Sequence, residues 1–231
     1  MIGRKNLDQL AKKTITQLEN VHTRIDKKQK NQNERLKGKM ENQNPDYHHL
    51  IMDFNPRVKD HENQVTLFDG TLKYKIHLSW SITNWTISLL DLDGNSLGNV
   101  RRVTSLRPLR HIQEYNPRYC VLSLGGETVG TIMLYDGRNG DARHGLDLDY
   151  NGWQLQSGKK MNEFRIDDSL GNNLVQILFG KQNISFLGVK HEEDEPISLL
   201  IVMVMLADRL ERGMVNEHPI KLFEEKSGED E

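Results

Sequence analysis

The sequence of 231 residues contains few cysteines, prolines and aromatic residues, and it has no apolar segment at its start. Its one cysteine, Cys120, excludes a disulfide framework and a zinc site built from several thiolates. The first residues after Met1 run directly into charged side chains, so we expect no signal peptide. The formal net charge of −2 gives no overall excess of positive charge, so we expect no nucleic acid as a partner.

Charge is unevenly distributed and divides the chain into three parts. Residues 1–45 carry eleven Lys/Arg and five Asp/Glu, whereas residues 190–231 carry five Lys/Arg and twelve Asp/Glu. We therefore predict a basic helical arm at 1–45 that is partly disordered, a folded body at 46–213 and an acidic tail at 214–231. Exposure of both ends to solvent, without any partner, would also explain their charge.

The arm has the spacing of a short amphipathic helix. Six positions between Leu7 and Ile25 follow a 4-3-4-3-4 pattern, which could dock on the body, pair with another chain to form an oligomer, or lie on an acidic membrane. The stretch from Lys27 to Glu41 looks too polar to bury anything, and Asn44-Pro45 should end the helix. We therefore predict that the body folds without residues 1–44.

Between about residues 47 and 189 the sequence favours β-structure. Short segments rich in Val, Ile, Leu and aromatic residues alternate with turns containing Gly or Asp, and one of these segments is 107–113. Asp91–Asn95 and Asp168–Asn172 share the turn pattern Asp-x-x-Gly-Asn. The first resembles the start of an EF-hand loop, but its glycine is at position four and Arg102 is at position twelve, so we interpret it as a hairpin turn.

The segment 196–212 predicts a buried helix. Acidic residues precede it, Pro196 suits the first helical position, and Gly213 suits the C-terminal cap. Every residue from Ile197 to Ala207 is apolar except Ser198, and this run of about 16 Å is too short to span a bilayer. We predict a closed antiparallel barrel of roughly twelve strands that wraps around this helix, because only a barrel of that size has room for one.

The strands, the two Asp-x-x-Gly-Asn turns and the late apolar helix resemble the tubby C-terminal-like superfamily, in particular LURP-one-related proteins and phospholipid scramblases. The resemblance covers about residues 47–213 and implies a twelve-stranded barrel around a central helix. It also implies phosphoinositide recognition or association with lipid movement. The acidic segment His191–Glu195 stands where scramblases bind calcium, but its spacing differs and the palmitoylated cysteines are missing. We therefore expect no scrambling, and we assign these acids to capping the helix.

Two common catalytic motifs are absent from the sequence: it contains no phosphate loop and no His-Glu-x-x-His. His48 and His49 are adjacent, so in a strand they would point to opposite faces and make a poor metal pair. Cys120 sits in an apolar strand, as a buried structural thiol does. We therefore expect no enzyme, no metal and no cofactor, and the polar loop 136–149 is the alternative position for an enzymatic site.

One basic segment is the best candidate for ligand binding. It runs from residue 101 to 111 without an acidic residue, and arginine side chains bind phosphate through two parallel hydrogen bonds. Two other roles would also explain this basic segment. It could be the charged edge of a strand, which discourages pairing with other chains, or it could pair with the acidic tail of the same chain. The candidate ligand-binding residues are Arg101, Arg102, Arg107, Arg110 and His111.

These observations together predict a non-catalytic binding or regulatory module. It would be cytoplasmic and peripheral at a membrane, with no transmembrane segment, and it would recognise an anionic phospholipid head group or a protein partner. The alternatives are an enzyme that uses the loop 136–149 and a purely structural or protein-interaction protein.

Overall fold

A computed structural model describes residues 4–55, 62–80, 85–103, 118–135, 145–157, 162–181 and 183–211. They form two α-helices, a short 3₁₀ turn at Glu192–Asp194 and twelve β-strands. The helices are α1 (Arg4–Gln43) and α2 (Glu195–Glu211). The strands are β1 (His48–Asp53), β2 (Gln64–Leu67), β3 (Leu72–Trp80), β4 (Trp85–Leu90), β5 (Ser96–Val103), β6 (Arg118–Leu124), β7 (Glu127–Tyr135), β8 (Gly145–Asp149), β9 (Gln154–Ser157), β10 (Glu163–Asp167), β11 (Asn173–Phe179) and β12 (Ile184–Val189).

All twelve strands belong to one antiparallel sheet that curls into a nearly closed barrel. Their order is β8-β7-β6-β5-β4-β3-β2-β1-β12-β11-β10-β9, so consecutive strands of the chain pair with each other, with the exception of β8 and β9. The first strand, β1, also pairs with the last strand, β12. Within the described residues β8 and β9 share no ladder of hydrogen bonds, which leaves one seam. The predicted barrel is thereby confirmed, and the strand expected at 107–113 lies outside the described residues.

The predicted central helix is also confirmed. Every residue of α2 from Ile197 to Ala207 is buried, with Leu200 and Val204 at 0% exposure and Leu206 at 6%. The strands supply the surrounding layer through alternating residues, because successive side chains of a strand point to opposite faces. A helix that is apolar on every side is stable here because the sheet encloses it on every side.

The two Asp-x-x-Gly-Asn segments form the same hairpin turn. In each, one carboxylate oxygen of the aspartate accepts a hydrogen bond from the backbone N–H of the asparagine, and the other accepts one from its side-chain amide, all at 2.8–2.9 Å. Gly94 and Gly171 adopt φ angles of 90° and 82°, which side chains disfavour. The interpretation of Asp91–Asn95 as a turn is confirmed.

Helix α1 continues through the polar stretch and ends at Gln43, where Asn44-Pro45 was expected to stop it. The expectation that Lys27–Glu41 is too polar to bury anything is wrong. Met40 is fully buried in a small cluster with Leu178 of β11 and Phe186 of β12, on the outside of the barrel. These two strands carry apolar residues on both of their faces. The C-terminal part of α1 covers the face that points away from the barrel interior.

Candidate functional site

The structure separates the two described members of the predicted arginine segment. Arg101 is exposed, whereas Arg102 is half-buried and shares the inward face of β5 with Gly98 and Val100. Adjacent residues of a strand point to opposite faces, so these two guanidinium groups do not converge on one ligand. The other three candidates, Arg107, Arg110 and His111, lie outside the described residues.

The alternative site in the loop 136–149 is described only at its C-terminal part. Asp147 and Asp149 are exposed on β8, and they alternate with the buried residues Leu146 and Leu148. Residues 136–144 lie outside the described part of the chain. The two carboxylates follow the in-and-out pattern of a barrel strand, and an enzymatic role for this loop stays a prediction.

A buried polar cluster that the sequence did not predict surrounds the start of α2. Glu195 is the first residue of this helix and is completely buried. Its carboxylate lies 2.8 Å from Nζ of Lys73 and accepts a hydrogen bond of 2.7 Å from the Tyr74 hydroxyl. Nδ1 of His48 lies 3.4 Å from the same carboxylate, and Lys73 also pairs with Glu192 at 2.9 Å. We call these five residues the α2 clamp, because they tie β1 and β3 to the helix.

The charges of the α2 clamp stabilise one another. Burial lowers the pKa of Lys73, but its hydrogen bonds to Glu195 and Glu192 outweigh this effect and raise the pKa overall. Burial, together with the hydrogen bond to Glu195, raises the pKa of Tyr74 above its ordinary value. The hydrogen bond from Lys73 lowers the pKa of Glu192. The clamp therefore holds a protonated lysine between two carboxylates at neutral pH.

The same cluster contains the donor atoms of a possible cation site. Oxygen atoms of Glu192 and Glu195 and a ring nitrogen of His48 lie within 4.8 Å of one another. Nitrogen and carboxylate oxygen are suitable ligands for a divalent metal. However, the Lys73 ammonium already pairs with both carboxylates, at 2.9 Å from Glu192 and 2.8 Å from Glu195, so a metal would have to displace it.

His48 and His49 do point to opposite sides of β1, as predicted from their adjacency. His48 faces the α2 clamp, whereas the His49 ring stacks on Phe68 at a centroid distance of 5.0 Å, beside α1. The two histidines therefore belong to different contacts of the barrel, and they do not form one metal site.

The C-terminal part of α1 fixes the direction of the whole helix. At one end of the contact, the side-chain oxygen of Asn33 accepts a hydrogen bond of 3.0 Å from the backbone N–H of Lys181, just beyond β11. At the other end, the Tyr47 hydroxyl donates to the carbonyl of Asn173, at the start of β11. Since α1 runs antiparallel to β11, residues 4–32 continue past the end of the barrel at which α2 ends. At 1.5 Å per residue this arm is roughly 43 Å long.

The arm of α1 and the end of the barrel where α2 begins differ in charge. The connections at that end of the barrel contain one Lys/Arg and seven Asp/Glu, and we call it the acidic end. Residues 4–32 of α1 carry eight Lys/Arg and three Asp/Glu and extend past the opposite end. Most of the connections at that opposite end lie outside the described residues. The basic arm therefore points away from the acidic end of the barrel.

No family model and no curated protein matches this sequence. A structure of a protein from Arabidopsis thaliana, AT5G01750, is similar with a TM-score of 0.41 and 12% sequence identity, over 69% of this chain and 91% of that chain. The resemblance to the tubby-like superfamily therefore stays a prediction, whereas the barrel and its central helix are observed directly. Neither helix in the described part of the chain combines the length and the apolar character needed to cross a bilayer.

Proposed function

We propose that the protein is a non-catalytic binding module that attaches to the surface of an anionic phospholipid membrane through the basic arm of α1. The observation that carries this proposal is the anchoring of α1 by Asn33, Met40 and Tyr47, which directs the remaining 29 residues of the helix beyond the barrel and away from its acidic end. The positive charge of the arm is thereby separated from the negative charge of the acidic end.

The composition of the arm suits a membrane surface. Exposed cations follow one another at Arg24, Lys27, Lys28 and Lys30, and each lysine or arginine near an anionic leaflet contributes about 1 kcal/mol. The apolar positions between Leu7 and Ile25 recur at helical spacing, and Ile25 is 46% exposed. A helix that combines an apolar stripe with lysines is typical of interfacial segments. A purely electrostatic contact with a protein would leave the apolar stripe without a role.

Vesicle sedimentation tests this proposal. The protein should bind vesicles that contain phosphatidylserine but not pure phosphatidylcholine vesicles, and binding should weaken as salt shortens the screening length to about 8–10 Å. The double variant Lys27→Glu/Lys28→Glu should lose about tenfold or more in affinity, since it removes favourable charges and adds repulsive ones. The matched control is Lys75→Glu/Lys190→Glu, which changes the net charge equally but at the acidic end of the barrel.

The two variants separate a directed membrane surface from a general charge effect. The proposal requires the control variant to bind within about twofold of the wild type. Equal losses in both variants would mean that net charge alone governs binding, and no binding of the wild type to anionic vesicles would refute the membrane role. In that case, a protein partner whose binding is lost in Lys27→Glu/Lys28→Glu would favour the protein-interaction alternative.

A further inference from the structure

His49 lies in the joint between α1 and the barrel. Its ring stacks on Phe68 with an interplanar angle of 26° and lies beside Gly188, where an added Cβ would be 3.6 Å from the ring. The ring also hydrogen-bonds to the backbone of Asn44, the residue that follows the last turn of α1. His49 thus contacts the end of the helix directly, together with β12 and the β2–β3 hairpin.

The other ring nitrogen of His49 has no place for a proton. Nε2 is buried and has no hydrogen-bond partner in the described part of the chain. A neutral ring tolerates this, because Nε2 then carries only a lone pair. Protonation would place a charged N–H in an environment without an acceptor, and a buried unpaired charge is unfavourable.

The charged groups around His49 partly offset one another. Glu41 of α1 favours the protonated ring, as does the hydrogen bond to Asn44, whereas His48 disfavours it. Nζ of Lys37 lies 5.3 Å from the centroid of Phe68, the ring on which His49 stacks, and it adds positive charge to the joint. Asp69 of the hairpin lies near Lys37, and β12 itself contains no charged residue. Burial outweighs the favourable contacts and lowers the pKa of His49 below 6.5.

We propose that protonation of His49 loosens the C-terminal part of α1 from the barrel, so that the direction of the arm becomes sensitive to mildly acidic pH. The direction of the effect follows from linkage. Sδ of Met40 on α1 and the His49 ring both lie 3.6 Å from the Cβ position of Gly188, so docking of α1 contributes to the burial that lowers the pKa of His49, against the raising effects of Glu41 and Asn44. Because burial outweighs these effects, the docked histidine binds fewer protons than the released one, so docking is favoured above pH 6.5 and weakens as the pH falls below it. The significance for membrane attachment rests on the proposed function, whereas the conformational change itself does not.

A distance measurement between spin labels tests the conformational change. One label at Gln32→Cys reports on α1 and the other at Asp93→Cys on the β4–β5 hairpin, both at exposed positions, while the native Cys120 is buried and left in place. At pH 7.5 we expect one narrow distance distribution. At pH 5 we expect a second, broad population that increases at least about threefold.

Three variants and one titration make the proposal falsifiable. His49→Gln retains a hydrogen-bond donor and His49→Phe retains the stacked ring, and both should abolish the response to pH. The matched control His77→Gln, at an exposed position of β3, should respond like the wild type. An unchanged response in both His49 variants would overturn the proposal.

A titration decides the case in which both variants release α1 already at pH 7.5. The pKa of the His49 ring is then measured by NMR in the wild type, and a pKa at or above 6.5 refutes the mechanism. Vesicle binding is measured separately at each pH, so a failure of the membrane role leaves the distance result intact.

Discussion

Replacement of Lys73 by methionine tests whether the α2 clamp holds the central helix in the barrel. Glu195 is completely buried, and Lys73 donates to its two carboxylate oxygens at 2.8 and 3.0 Å. Removing one partner of a buried ion pair typically costs about 3–5 kcal/mol, because the remaining charge stays buried without compensation. The Lys73 side chain is 21% exposed and Tyr74 would still donate to Glu195, so we expect the lower limit, about 3 kcal/mol.

Urea denaturation and thermal melting measure this loss. For a chain of this size about 3 kcal/mol corresponds to a decrease in Tm of roughly 6–12 °C. The double variant Lys73→Met/Glu195→Gln should recover most of it, because it removes both buried charges, and the carboxylate of Glu192 that loses its partner is exposed to solvent. The control Lys75→Met removes an exposed lysine that donates to the exposed carbonyl of Leu92, and it should change stability by less than about 0.5 kcal/mol. A loss below about 1 kcal/mol for Lys73→Met, or additive losses in the double variant, would refute the role of the clamp.

Three further variants test the core, the docked helix and the pH dependence. Val204→Asp should prevent folding, because an unpaired charge would lie inside the barrel, whereas Val103→Asp on the exposed part of β5 should give a soluble, cooperatively melting protein. Met40→Ala should lower the free energy of unfolding in urea by about 2–4 kcal/mol, and a loss below about 0.5 kcal/mol would mean that α1 does not pack on β11 and β12. Because the pKa of Tyr74 is raised in the folded state, its contribution is present below pH 10 and is lost as the pH rises above 10. The urea midpoint of the wild type should therefore decrease above pH 10 more steeply than that of Tyr74→Phe, and equal slopes would contradict this.

The fold could be predicted from the sequence because its main elements depend on local patterns. The run from Ile197 to Ala207 is apolar on every side, and no arrangement other than enclosure by protein or lipid satisfies it. The hairpins depend on short turn sequences, such as Asp91–Asn95, whose hydrogen bonds all lie within five residues. Each of these features is specified by residues that are neighbours in the chain.

The α2 clamp could not be predicted because it joins residues that are far apart in the chain. Lys73 and Glu195 are separated by 122 positions, and only the pairing of β1 with β12 brings β3 near the start of α2. The sequence suggested helix capping for the acids before Pro196, and no pattern near Glu195 indicates that this carboxylate is buried. The docking of α1 did have a signal, which was missed. The segments of β11 and β12 are apolar on both faces, and such strands require a cover on each side.

That second apolar face explains why the arm extends in one particular direction. The barrel needs a cover over Leu178 and Phe186, and Met40 supplies it from within an otherwise polar helix. Asn33 fixes the opposite end of the contact on Lys181, so the helix cannot rotate about Met40 without losing these hydrogen bonds. The polar composition of residues 27–41 is therefore compatible with docking, because one apolar residue and one amide at seven-residue spacing lie on the same helical face. The orientation of the basic arm, away from the acidic end of the barrel, thus follows from how the barrel buries its own surface, before any ligand is considered.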